Sequence, residues 1–184
     1  MDTIGCTLKH DCSMPEIDRS FLSLSAHYLR EHYGPKILRC LEEMDEDQIW
    51  WRPNEESNSI GNLILHLCGN VRQWIISGVG GDPDIRERQQ EFDELGPMPK
   101  EVLIHKLNTT IEAACQVILR VESSELMEKR TLQKNEVSVI EVIYHAVEHF
   151  SMHTGQIIYI TKLHQGKDLA FYKITDDGGA YPQW

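Results

Sequence analysis

From Ser138 to Gly166 the chain keeps one long helical pattern, and that pattern carries a histidine every four residues: His145, His149 and His153. At about 100° per residue, positions i and i+4 lie roughly 40° apart on a helix, so consecutive members of the row project the same way. Ser138-Val139-Ile140-Glu141 matches a capping box at the start, and Gly166 is placed to end a helix running to about His164. Beside the histidines runs an apolar stripe of Ile143, Val147, Phe150, Thr154 and Ile157. Two adjacent sectors of this helix are therefore inward, and the rest of the fold must supply surfaces to cover them.

The other segments read as those surfaces. An irregular arm covers residues 1–16. From Asp18, a candidate N-cap, Phe21, Leu22, Leu24, Leu29, Ile37, Leu38 and Leu41 predict a first helix to about Met44, interrupted at Gly34-Pro35. Ile49-Trp50-Trp51-Arg52-Pro53 is a connector whose two tryptophans are expected to seal one end of the core. Asn58-Ser59 caps a second helix, with Ile60, Leu63, Ile64, Leu67, Val71, Trp74 and Ile75 on i, i+3, i+4, i+7 spacing and His66 on the flank of the stripe. Gly78 to Pro83 stops it, and a long charged loop follows to Glu94, long enough to carry function or a short helix. Pro97-Met98-Pro99 introduces a third helix through Leu103, Leu107, Ile111, Ala114, Ile118 and Val121. Residues 122–137 are a polar connection with weak strand character at Arg130-Thr131-Leu132. The tail from Lys167 holds Phe171, Tyr172, Tyr181 and Trp184, enough aromatic surface to pack down.

Four amphipathic helices are most simply buried in an all-α four-helix bundle, here spanning about 18–166 within a single domain of 184 residues. Long connections leave the order of the helices open to a crossover. The net charge of −11 repels nucleic acid and anionic lipid alike, so no nucleic-acid partner is expected. No apolar run approaches the ~20 residues of a membrane helix, and no signal peptide is visible. Five cysteines without a CxxC pair fit a reducing cytosol, which gives a cytoplasmic expectation.

His149 and His153 form an HxxxH pair, a geometry with which helices hold metals. Glu148 precedes His149, but the chain reads His-Phe-Ser-Met-His, so the HExxH arrangement with its internal glutamate base is absent. Three protein ligands and an open position mark a catalytic metal centre, which leaves His145 or His66 as the third ligand. His145 stands two turns from His153, about 12 Å along the axis, which is far for two ~2.1 Å bonds to one ion. His66, on a second core-forming helix, can approach across the bundle. The competing reading is a set of satisfied core histidines. Cys68 points about 200° away from His66 on the helix and reads as core.

The segments Asn58 to Asn70 and His149-Phe150-Ser151-Met152-His153-Thr154-Gly155-Gln156, with the tryptophan connector, resemble the DinB (YfiT-like) family over roughly residues 20–165. The resemblance implies a four-helix bundle in up-down-down-up order, with a divalent metal on His66, His149 and His153. Family members bind zinc, nickel or a similar ion, and homodimers are common. Some relatives transfer low-molecular-weight thiols such as bacillithiol or isomerise substrates with mycothiol; many have no known activity, and this chain is most similar to that uncharacterised branch.

Two functions follow as expectations. One is a metal-dependent enzyme acting on a small-molecule substrate, such as a thiol transferase. Gln156 or Tyr144 would orient its substrate, and His145 would support the ligands. The other is a non-catalytic bundle whose site serves stability or partner binding, with contacts through the 78–94 loop and the aromatic tail.

Overall fold

The computed structural model describes residues 15–96 and 98–183. A first helical run consists of α1 (Pro15–His27), a π-helical turn (Tyr28–Tyr33) and α2 (Gly34–Glu42). It begins before Asp18, which therefore sits in the first turn with Glu16 rather than at the N-cap. The expected interruption at Gly34-Pro35 takes the form of that π turn. Pro35 has no N–H to return to the preceding turn, and the wider turn lets the Gly34 N–H reach the Leu29 carbonyl, five residues back. The helix changes its winding there without breaking.

The tryptophan connector contains a short helix, α3 (Glu46–Trp50), held by an Asp45–Gln48 capping box. Next come α4 (Ile60–Val71), continued by a π-helical turn (Arg72–Ser77), and α5 (Arg88–Asp93), a short helix inside the charged loop. The third long helix is α6 (Lys100–Ile118). The polar connection after it holds an antiparallel hairpin of β1 (Lys129–Leu132) and β2 (Asn135–Ser138), turning at Gln133-Lys134, both at positive φ. From β2 the chain enters α7 (Val139–Gln165) through the Ser138–Glu141 capping box, and Gly166 ends the helix in the left-handed conformation. A second hairpin, β3 (Tyr172–Ile174) with β4 (Ala180–Pro182), lies in the tail.

The structure is thus mostly helical. Helix α4 packs on α5, α6 and α7, α2 packs on α6 and α7, and α1 reaches α6. One apolar core runs between them, including Leu29, Ile37, Leu41, Ile60, Ile64, Leu67, Leu103, Leu107, Ile143, Phe150 and Ile157, all essentially inaccessible to solvent. Phe150 stacks on Tyr33 with ring centroids 6.1 Å apart. Cys40, Cys68 and Cys115 are buried free thiols, and burial pushes each up to about 11, so they serve as core residues; Cys6 and Cys12 lie outside the described residues.

The two tryptophans part company. Trp50 is partly buried, donates from Nε1 to the Met98 carbonyl at 3.2 Å, and packs its ring against Gly61 and Gly96. A Cβ at Gly61 would come within 2.7 Å of that ring, and one at Gly96, where φ is +75°, within 2.5 Å. Trp51 is 39% exposed and meets the edge of His164 at 4.6 Å. Only Trp50 seals the core. The tail packs down through Leu169 and Phe171, with Tyr172 accepting from Lys36 Nζ at 3.0 Å, whereas Tyr181 is exposed; Trp184 lies outside the described residues.

Candidate metal centre

Helix α4 is set in place by its first turn. Ser59 accepts from the Asn62 backbone at 3.1 Å, and Asn62 Oδ1 accepts from the Ser59 N–H at 3.2 Å. Asn62, fully buried, also donates from Nδ2 to the Glu91 and Glu94 carbonyls at 2.9 and 2.7 Å. Arg52 Nη2 donates to Asn62 Oδ1 at 2.9 Å and to the Phe92 carbonyl at 3.0 Å. The connector and α4 thereby pin α5 over the next turn of α4, where His66 lies.

His66 is 6% exposed and points toward α7. Its Nε2 stands 3.1 Å from His149 Nε2, which in turn stands 3.2 Å from His153 Nε2. The ligand atoms of these three residues all lie within 4.8 Å of one another, a group that can hold a metal ion. Tetrahedral coordination with bonds of about 2.1 Å separates ligand nitrogens by about 3.4 Å, close to the two distances to His149 Nε2.

The far side of each ring sets the chemistry of the near side. His66 Nδ1 lies 2.9 Å from Glu91 Oε2. Burial pushes the Glu91 carboxyl up, but hydrogen bonds from Arg86 and His66 outweigh it and hold the group below its ordinary value, as a carboxylate. A carboxylate only accepts, so His66 Nδ1 donates to it, and a ring with its one proton there presents a lone pair at Nε2. His153 Nδ1 makes a 2.6 Å bond to Gln156 Oε1, with the same result. His149 Nδ1 is buried and has no hydrogen-bond partner among the described residues, so nothing there fixes its tautomer. One proton on His149 Nε2 serves two facing lone pairs poorly, whereas a cation serves all three nitrogens. The donor set fits a divalent metal.

Arg86 completes the support. It grips Glu91 with two bonds, Nε to Oε1 at 2.8 Å and Nη2 to Oε2 at 2.9 Å, with side chains only 4% and 10% exposed. Glu91 lies so close to α4 that a Cβ at Gly69 would fall 1.8 Å from Oε1. Phe92 packs on the His66 ring at 4.9 Å. Sequence reasoning missed Arg52, Asn62, Arg86 and Glu91; the length of the charged loop was the one signal pointing to it.

His145 stays on the same face of α7 but packs on Trp74, centroids 4.2 Å apart, and is outside the three-nitrogen group. Tyr144 is 65% exposed and does not line the site; Gln156 is brought to His153 instead. Burial, followed by the charges of His153 and His66, lowers His149 to about 3 from an ordinary 6.5, and burial likewise lowers His153 and His145.

A pH dependence follows. Between pH 6.5 and 3 the unfolded chain binds a proton at His149 that the folded chain does not, so stability is fully present above that window and is lost as pH falls through it. At pH 5 the metal-stripped protein should be about 1–2 kcal/mol less stable than at pH 7.5 from this residue. Urea midpoints at the two pH values measure it, and His149→Leu should flatten the difference. Equal midpoints in the wild-type protein would refute the neutral, buried imidazole.

The fold and this cluster define a mostly helical protein with three histidines placed to share an ion. The chain belongs to the family described as a protein of unknown function (DUF1572), which it matches over residues 16–177. It is similar to a structure described as the conserved protein of locus from Enterococcus faecalis, with a TM-score of 0.64 and 15% identity over 84% of this chain and 98% of that one. At that identity the likeness is one of fold alone. None of the curated proteins matches the chain. Among the described residues, no helix is long and apolar enough to cross a membrane.

Proposed function

We propose that His66, His149 and His153 ligate one divalent metal ion, zinc or nickel, in a single-domain bundle of the DinB type with up-down-down-up order. We further propose that the centre is catalytic, acting on a small thiol as a transferase. The observation that carries this reading is the convergence of three Nε2 atoms, two of them with Nδ1 committed to an acceptor on the far side. Three protein ligands leave at least one position open, and an ion there lowers the pKa of a bound water or thiol. A cavity of about 450 Å³ opens over the three rings, edged by Arg88, Gln89 and Phe92, and gives a small molecule access. In this reading Glu91 and Gln156 orient the ligands, and Phe92 shields His66 on one side.

Elemental analysis of the purified protein should find near-stoichiometric metal, absent from folded His66→Ala and His149→Ala variants. No metal after incubation with zinc and with nickel would overturn the assignment. The metal-loaded protein should join a thiol to an electrophile, and His153→Ala should abolish that turnover without unfolding the chain. Turnover undiminished in the variant would rule out a catalytic role for this centre.

A further inference from the structure

The cavity over the three histidines has a neighbour. A groove of about 610 Å³ runs along the outer side of α7, walled by Trp51, Leu63, Met152, Tyr159, Ile160 and Leu163. Asn58 borders both spaces. The His153–Gln156 hydrogen bond forms the ridge between them, with His153 lining one side and Gln156 the other. From His153 to Leu163 the helix rises about 15 Å, the span of an extended chain of roughly twelve carbons.

The two spaces differ in chemistry. At the mouth of the histidine cavity Arg88 is exposed and lies over the Phe92 ring, its guanidinium 4.8 Å from the centroid. Among the described residues no carboxylate pairs with it, although the chain carries a net charge of −11. The groove has one charged lining residue, Glu56, which disfavours an anionic head inside it. A positive mouth and an apolar channel meet at the ridge.

We propose that the site takes an anionic amphiphile, a carboxylate or thiolate head held at Arg88 and the histidines with an unbranched apolar body in the α7 groove. This deepens the metal-centre reading and rests on it for the chemistry at the head, but the groove and Arg88 stand without the ion. Each methylene laid in the groove leaves water, so affinity rises with chain length. Gly155 lines the groove, and a Cβ there meets nothing within 4 Å, so a larger side chain fills the channel without straining the helix.

Calorimetric titration of the whole protein, metal-loaded and metal-stripped, with octanoate, acetate and octyltrimethylammonium tests this. Octanoate should bind at least tenfold tighter than acetate and than the cationic amphiphile. Gly155→Leu and Arg88→Gln should each weaken octanoate at least tenfold while leaving metal content unchanged. Equal affinity for octanoate and acetate would overturn the groove, and octanoate binding untouched by Arg88→Gln would overturn the head site. A wild-type dimer that Gly155→Leu converts to monomer would give the groove to a second copy of the chain and overturn the proposal. Metal content on the same samples separates the two readings. Octanoate preference without any metal fails the metal centre alone, and metal without octanoate preference fails this inference alone.

Discussion

Glu91→Ala should destabilise the metal-free protein by about 3 kcal/mol and weaken metal binding 10- to 100-fold. The first effect comes from Arg86, whose side chain is 4% exposed and whose charge is balanced by Glu91. Removing the carboxylate leaves a cation out of water without its two-bonded partner, with only the Gln73 side-chain oxygen and the nearby charge of Asp84 to offset it. The second effect comes from His66, which loses the acceptor that holds Nδ1–H and keeps Nε2 free for the ion. The two consequences separate in a double variant. Arg86→Met with Glu91→Leu replaces the pair by apolar groups of similar volume, which is often neutral for stability. It should recover most of the urea midpoint lost in Glu91→Ala while metal affinity, measured by competition with a chelator, stays low. Glu91→Ala as stable as wild type would refute the buried pair.

Trp50→Ala should cost about 3 kcal/mol, whereas Trp51→Ala should cost less than about 1 kcal/mol. Adjacent in sequence, these residues face opposite surroundings. The Trp50 ring fills the gap between Gly61 and Gly96, and neither glycine backbone can collapse to close the hole. The Met98 carbonyl also loses its donor. Trp51 lies at the rim, and its loss chiefly exposes one edge of His164. In a chain of this size about 3 kcal/mol corresponds to a melting temperature about 6–12 °C lower for Trp50→Ala than for wild type. Similar melting temperatures for the two variants would refute the unequal roles.

What the sequence made legible is local. Ser138 announces a helix start because its capping box with Glu141 is complete within four residues, and Asn58-Ser59 mark another by residue type. His149 and His153 declare a shared face because one turn of helix fixes their direction. His66 could be matched to them since its own helix is strongly periodic. The supports for the site were not legible for the converse reason. Glu91 is 25 residues from His66, in a loop without period, and no spacing rule joins a charged loop to a ring on another helix. The same holds for Asn62, which no sequence pattern singled out and which serves as the clasp for α5. Trp50 and Trp51 could not be told apart because neighbouring residues share every local signal. The interruption at Gly34-Pro35 was visible, but no sequence rule separates a break from the π turn in which Gly34 N–H reaches the Leu29 carbonyl. Tertiary contacts decided the roles of Glu91, Asn62 and Trp50.

The loop that carries Arg86 and Glu91 has a thermodynamic counterpart to its supporting role. Coupling between two events is reciprocal, so whatever order in residues 82–94 contributes to the grip on an ion, the ion returns to the order of those residues. Arg86 is enclosed by that order, while Arg88, two residues on, stands in solvent. A trypsin-like protease needs the loop to open before it can cut after either, since Arg86 is enclosed and Arg88 is the first residue of α5. The rate of cleavage at these two arginines, slowed when an ion is held, is therefore a gauge of occupancy.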